Sequence, residues 1–263
     1  MSDKNRGGEL PSAVRRLEKA GYGVIPPQQF RSDIDPDFFT LWDRISAYTM
    51  ISAERGYALY SAVRYVIGAG IPGDFAECGV WKGGAAMLMA LTVLKYAPAD
   101  PRRIYLFDTF SGMTVPGEND RIAWNGRPVL EKWDEDKRGE KNNFRWWAVI
   151  REEVVNNMQS TAYPEDMYFA VEGDVIETVP KHAPGSLAIL RLDTDWYEST
   201  AHELRHLYPR LSSGGVLLID DYGHFTGARK AVDEYFSEHP VFLHRDDYTG
   251  RSIVKTAPAP QVR

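Results

Sequence analysis

The chain has 263 residues, 43% of them hydrophobic, which is enough for one large α/β core with an accessory segment. Its 31 Lys and Arg against 37 Asp and Glu give a net charge of −6, which argues against a general nucleic-acid binder, and its longest apolar run, near residues 87–94, is too short to span a bilayer. The single cysteine, Cys78, excludes an intrachain disulfide framework and suits a reducing cytoplasm, and the polar start MSDKNRGGELPS lacks the apolar block of a secretion signal.

Residues 1–12 and the tail 257–263 carry little apolar surface and are expected to be mobile. We expect 1–44 to form an N-terminal segment with a helix, and 45–256 to form the main domain. Ser52 is placed to cap a helix with Glu54 in its first turn, and Leu59, Tyr60, Val63, Val66 and Ile67 follow at helical spacing until the 68–73 stretch with its glycines and Pro72. Short apolar runs then alternate with amphipathic ones, the pattern of βαβ units around a parallel sheet. The strand candidates are 75–79, 104–108, 167–172, 187–193 and 216–221. Between the last two, Thr200 and Glu203 have capping-box spacing, with Leu204, Leu207, Tyr208 and Leu211 on the buried face. A helix from Thr226 would bury Ala228, Ala231, Val232, Tyr235 and Phe236, and 241–244 with 252–255 would form a hairpin around Tyr248-Thr249-Gly250. The expected fold is a Rossmann-like, seven-stranded, mostly parallel α/β sheet with an antiparallel C-terminal hairpin and a helical lid.

The lid is the segment 111–160, which breaks the alternation and holds four of the seven tryptophans (Trp124, Trp133, Trp146 and Trp147). Phe144, Trp147, Ile150, Val154, Val155 and Met158 form a stripe at helical spacing, which fits either a helix packed on the domain edge or a lid that touches substrate.

Open α/β sheets bind nucleotides outside the carboxyl ends of their strands. The loop there, Glu77-Cys78-Gly79-Val80-Trp81-Lys82-Gly83-Gly84, matches neither phosphate-binding glycine pattern. It suits a ligand without pyrophosphate, and S-adenosylmethionine is such a ligand. Glu77 would meet the cationic methionine part, Gly79 would let backbone approach, and Asp108 would accept the ribose hydroxyls. Ser111 follows on the same side, and Asp174, after Gly173, would lie against the adenine. Without a ligand, the same glycines would only make a tight strand-to-helix turn, and Asp108 would only cap it. Cys78 reads as a small core residue.

Two apolar strands then end in paired acids, in Leu192-Asp193-Thr194-Asp195-Trp196 and Ile219-Asp220-Asp221-Tyr222. Neighbouring strand ends lie about 5 Å apart, so these carboxylates would repel unless a cation joined them. All-oxygen ligands select Mg²⁺ or a similar ion. Arg191 is the only base near them in sequence. Asp193 and Asp195 would face the same way from an extended backbone. Trp196 reads as core packing, and His202 and His224 as surface or packing residues. Asp193-Thr194-Asp195 also admits a metal-dependent glycosyltransferase, and the fold alone admits a non-catalytic scaffold, although either leaves the other acids unexplained.

The segments MISAERGYALYSAVRYVI, GIPGDFAECGVWKGG, YLFDTFSGM, LRLDTDWYEST and GGVLLIDDYGHFTGARKAVDEYF resemble the macrocin O-methyltransferase (TylF) family over roughly residues 45–240. The resemblance implies methyl transfer from S-adenosylmethionine to a sugar hydroxyl of an antibiotic, a small-molecule glycosylated acceptor, with Mg²⁺ and self-association. It places Asp193, Asp220 and Asp221 at metal positions and Glu77, Gly79 and Asp108 at cofactor positions, with Thr49 and Met50 near the methionine end. Asp195 is the expected general base, with Asp193 as the alternative.

Overall fold

The computed structural model describes residues 6–24, 31–138, 147–238 and 240–256. Residues 1–5 and the expected mobile tail 257–263 lie outside them. The chain divides into two units, Met1–Phe38 and Phe39–Arg263. In the first, α1 (Arg6–Lys19) is helical, so the polar start expected to be mobile is in part a helix. α2 (Pro36–Ile45) runs across the boundary between the units.

The second unit holds a seven-stranded sheet of β1 (Asp74–Cys78), β2 (Ile104–Asp108), β3 (Tyr168–Glu172), β4 (Leu187–Leu192), β5 (Leu211–Ile219), β6 (His244–Arg245) and β7 (Arg251–Val254). Its order is β3-β2-β1-β4-β5-β7-β6. The first five strands are parallel, and β7 pairs antiparallel with β5 and with β6. This is the expected fold class. All six residues of β4 are buried, the signature of a strand covered on both faces. The chain order reverses at β1 and β4, the switch point where such sheets bind ligands.

Helices cover both faces. In α3 (Ala53–Gly68) the Ser52 hydroxyl caps the Arg55 amide, and of the expected stripe, Leu59, Tyr60, Val63 and Val66 are buried and Ile67 is half-buried. α4 (Gly84–Tyr96) contains the 87–94 run and is buried from Gly84 to Val93, so its apolarity serves the core. Among the described residues no helix is long and apolar enough to cross a membrane. α5 (Val129–Arg138) and α6 (Arg151–Gln159) lie in the insertion. α7 (Val175–His182) is capped by Asp174, and α8 (Tyr197–Leu207) and α9 (Thr226–Tyr235) complete the set.

Four local expectations change. The Thr200–Glu203 capping box does not form: α8 starts earlier, at Tyr197, and both residues point into the core. Leu211, expected on that helix, opens β5, whose Ser and Gly residues hide the strand's first half. The hairpin strands are His244–Arg245 and Arg251–Val254, and Val241 and Leu243 pack on the core from an extended approach. In the insertion, the helix starts at Arg151, so Val154 and Met158 are buried while Trp147 and Ile150 precede it, exposed. Phe144 and Trp146 lie outside the described residues.

Candidate active site

Parallel pairing places Cys78 beside Leu192, and Leu192 beside Ile219. The residues that follow these strands therefore emerge side by side. The Asp193 amide donates to the Cys78 carbonyl at 2.8 Å, and the Asp220 amide to the Leu192 carbonyl at 2.9 Å. A cavity of about 810 Å³ opens above these ends.

The glycines of the β1–α4 loop have distinct steric causes. Gly79 has φ 81°, and a Cβ there would sit 1.9 Å from the Asp193 carbonyl oxygen. The close approach is thus to the next strand's backbone, where a bound ligand had been expected. A Cβ on Gly84 would lie 2.5 Å from the Tyr48 carbonyl, and this packing brings Thr49 and Met50 to the cavity wall. Asn157 of α6 donates to the Lys82 carbonyl at 2.9 Å, which fastens the insertion's second helix to the loop.

Asp108 lines the cavity but is committed to the loop. Its Oδ2 accepts from the Val80 and Trp81 amides (2.7 and 3.2 Å), and its Oδ1 from the Phe110 amide at 2.8 Å. The turn-capping role weighed for it from sequence is therefore present. The carboxyl leaves one Oδ1 acceptor position for a hydroxyl, rather than the two-handed grip expected. Gly173 and Asp174 also line the cavity, with Asp174 capping the Ile176 amide at 2.9 Å. Ser111 does not line it: the residue is exposed and turned against Thr109.

Glu77 is 1% exposed and borders the cavity. Its Oε1 accepts from Arg191 Nη1 at 2.7 Å, while its buried Oε2 has no hydrogen-bond partner among the described residues. Burial pushes its carboxyl up to about 7, against the pull of Arg191. A buried carboxylate oxygen of this kind is suited to a cationic group on a ligand.

Arg191 is itself buried. Besides Glu77 it donates to Asp193 Oδ2 at 2.7 Å and to Asp220 Oδ1 at 2.5 Å. Asp220 also pairs with Arg55, a second base that sequence spacing did not bring near the acids. The four aspartates therefore sort differently from the expected set of Asp193, Asp220 and Asp221. Asp220 is taken by two guanidiniums, and the carboxylates drawn together, with oxygens within 4.8 Å, are Asp193, Asp195 and Asp221. Asp195 reaches them because β4 stops at Leu192 and the chain turns: Asp195 is left-handed, φ 68°, and the Trp196 amide donates to the Thr194 carbonyl at 2.8 Å. A turn, and not the extended backbone expected, aims the two carboxylates together. Burial pushes all three well above the usual carboxylate range, and Asp221 Oδ2 is buried with no partner among the described residues. Three crowded acids and an unmatched oxygen fit a hard divalent cation.

The insertion forms the opposite wall. Asp120, buried, accepts from the Gly117 and Tyr197 amides (2.7 and 2.9 Å), and the Ala123 amide donates to the His224 carbonyl at 2.9 Å. Trp124 and Trp147 reach the cavity, so this segment does more than pack on the domain edge. Trp196 is buried as expected, with its indole N–H on the Thr114 carbonyl at 3.0 Å, and it touches the cavity as well. His224, read as a surface or packing residue, lines the cavity. Its Nδ1 shares a hydrogen bond with the Tyr248 hydroxyl at 3.0 Å, Trp124 packs edge-on against the ring, and burial lowers its pKa. His202 stacks on His206 and lies away from the cavity. Cys78 is buried, and burial pushes its thiol up, as for a core residue.

An open sheet with this order, with acids at the ends of β1, β2, β4 and β5 around one cavity, defines a Rossmann-like domain with a ligand site at its switch point. The family model described as Macrocin-O-methyltransferase (TylF) matches residues 39–247, and the chain belongs to that family. It is 34% identical to a tetracenomycin-C rhamnosyl 4'-O-methyltransferase of Streptomyces olivaceus, covering 92% of this chain and 89% of that one. It is 31% identical to mycinamicin III 3''-O-methyltransferase of Micromonospora griseorubida, over 74% of this chain and 72% of that one. The solved structure of the O-methyltransferase NovP superposes with a TM-score of 0.68 at 27% identity, covering 95% of this chain and 98% of that one. The chain is accordingly an O-methyltransferase, and the glycosyltransferase and scaffold readings fall away.

Proposed function

We propose that this enzyme methylates a hydroxyl on the sugar of a glycosylated natural product, using S-adenosylmethionine and Mg²⁺. The observation that carries the reading is the meeting of Asp193, Asp195 and Asp221 beneath the cavity that Glu77 borders. The relatives' names supply the acceptor class: two of them act on sugar positions of a tetracenomycin and a mycinamicin.

Bound S-adenosylmethionine supplies an electrophilic methyl carbon, and a bound divalent ion supplies Lewis acidity at the acceptor oxygen. Glu77 Oε2 would face the cationic part of the cofactor, with Thr49, Met50, Gly173 and Asp174 around it. Asp193 and Asp221 would hold the ion. Asp195, in the same cluster but on a separate turn, would accept the hydroxyl proton. Trp124, Trp147 and Trp196 would exclude water around the acceptor.

The test is methyl transfer from labelled cofactor to a panel of glycosylated polyketides and aminocoumarins, read by mass spectrometry. Calorimetry with S-adenosylhomocysteine and with Mg²⁺ accompanies it. Sugar methylation that Asp221→Asn or chelation abolishes supports the reading. Full activity after both, or no binding of S-adenosylhomocysteine, overturns it. A homo-oligomer is the assembly the family resemblance implies, and analytical ultracentrifugation of the full chain tests it.

A further inference from the structure

The β6–β7 turn, far from the cluster in sequence, is tied to it by two separate routes. Asp247, in that turn, is saturated with donors. Its Oδ1 accepts from the Thr249 and Gly250 amides (2.8 and 2.6 Å), and its Oδ2 from the Ser52 hydroxyl and Arg55 Nε (2.7 and 3.0 Å). Arg55 then spends its other face on Asp220. The second route is backbone: the Thr249 hydroxyl donates to the Asp220 carbonyl at 2.8 Å, and the Gly223 amide to the Thr249 carbonyl at 2.9 Å. There is little slack, because a Cβ on Gly250 would stand 2.8 Å from Arg55 Cγ, and one on Gly223 would stand 2.0 Å from the Tyr248 carbonyl.

From Asp220 the ion pairing continues inward. Arg191 joins Asp220 to Asp193 and Glu77, so one connected path runs Asp247–Arg55–Asp220–Arg191–Asp193. Every member except Asp193 is largely buried, the Arg55 side chain being 13% exposed and that of Asp247 9%. Buried pairs of this kind are screened little by solvent, and removal of one partner leaves the other charge uncompensated. Arg55 also needs its planar fork to serve two carboxylates at once, which a lysine cannot copy.

We propose that Asp247 and Arg55 are positioning residues for the metal cluster. In this role the C-terminal turn braces Asp220, keeps that carboxylate on its two guanidiniums, and so sets Arg191 and Asp193 where the cation is held. The inference rests on the metal reading above and adds two residues outside the carboxylate cluster, Arg55 at the cavity wall and Asp247 behind it. Partners of metal ligands at this remove typically change affinity about tenfold to a hundredfold when lost.

The experiment is isothermal titration of the full-length, metal-stripped enzyme with Mn²⁺ alone, with near-UV circular dichroism and thermal unfolding of each protein alongside. Wild type is compared with Asp247→Ala, Asp247→Asn, Ser52→Ala and Arg55→Lys. The expected result is a Kd for Mn²⁺ raised about tenfold or more in Asp247→Ala and Arg55→Lys, and less in Asp247→Asn and Ser52→Ala. Near-UV circular dichroism and the thermal unfolding midpoint should stay close to wild type, which a general loss of structure would not allow. The milder Asp247→Asn and Ser52→Ala carry the test if Asp247→Ala does not fold. Unchanged Mn²⁺ affinity in every folded variant, with wild type binding, overturns the brace. Absence of Mn²⁺ binding by wild type instead overturns the metal reading itself.

Discussion

Glu203 offers a clean measurement of what the buried acids cost. It is fully buried in α8, where it accepts from the Thr194 hydroxyl at 2.9 Å, and its Oε2 has no partner among the described residues. Burial pushes its carboxyl from 4.5 up to about 8. Between those values the folded protein keeps a proton that the unfolded chain has lost, so this group makes stability fall as pH rises from 4.5 towards about 8, and adds no further slope above that. At about 1.4 kcal/mol per pH unit the ceiling is roughly 5 kcal/mol, of which roughly 2–3 kcal/mol falls between pH 5.5 and 7.5. Glu203→Gln mimics the protonated form at every pH and removes this slope. We expect wild type to lose roughly 5–10 °C more in Tm than Glu203→Gln between pH 5.5 and 7.5. The assay is differential scanning calorimetry of both proteins across that range. Other titrating groups, Glu77 included, act on both proteins and cancel in the difference. Parallel curves for the two proteins would refute the reasoning.

Three further outcomes follow from the site. In Glu77→Gln the carboxylate proposed to face the cofactor is lost. Its affinity for S-adenosylhomocysteine should drop about tenfold or more by calorimetry at pH 8, a charge-assisted hydrogen bond contributing about 1.5–3 kcal/mol. Wild-type affinity should also weaken as pH falls through about 7, where Glu77 takes up its proton, and the variant's should not. Gly79→Ala places a Cβ against the Asp193 carbonyl in left-handed backbone, so chemical denaturation should show a loss above about 1 kcal/mol. Trp124→Ala removes an aromatic wall of the cavity that packs edge-on against His224. Steady-state kinetics should show KM for the acceptor raised several-fold while affinity for S-adenosylhomocysteine is kept, and a loss of cofactor affinity would count against an acceptor-side role.

The sheet could be read from sequence because parallel strands buried on both faces leave unbroken apolar runs, as in 187–190 and 216–219. Where a strand departs from that rule the reading slipped. The Ser212-Ser213-Gly214-Gly215 stretch of β5 looks like a loop, yet it is paired, with the Gly214 amide on the Lys255 carbonyl at 2.7 Å. Thr200 and Glu203 have the spacing of a cap, but spacing does not say which way a helix face turns. Here both face the core, and Glu203 reaches back to Thr194.

The site shows the same division between what is local and what is not. Acids at strand ends are a local signal, since a carboxylate after an apolar run has few structural reasons to be there, and Glu77, Asp108, Asp174, Asp193 and Asp221 all reach the cavity. What they pair with is decided by topology. Arg55 and Asp247 stand 192 positions apart in sequence, and they meet only because β7 runs antiparallel beside β5 and carries its turn back to the start of α3. No pattern within a window around Asp220 records that contact, so the sequence groups Asp220 with Asp193 and Asp221, where the fold sets it apart. Asp220 is neutralised by guanidiniums. Asp193, Asp195 and Asp221 are left crowded, with Arg191 reaching only Asp193. That asymmetry is what suits the cluster to the proposed cation: a protein that paired every acid with an arginine would have no demand for one, and one that paired none would carry the repulsion of all four in a buried site. Arg55 and Arg191 together relieve one carboxylate fully and another in part, which leaves the cluster short of positive charge on the side that faces the cavity.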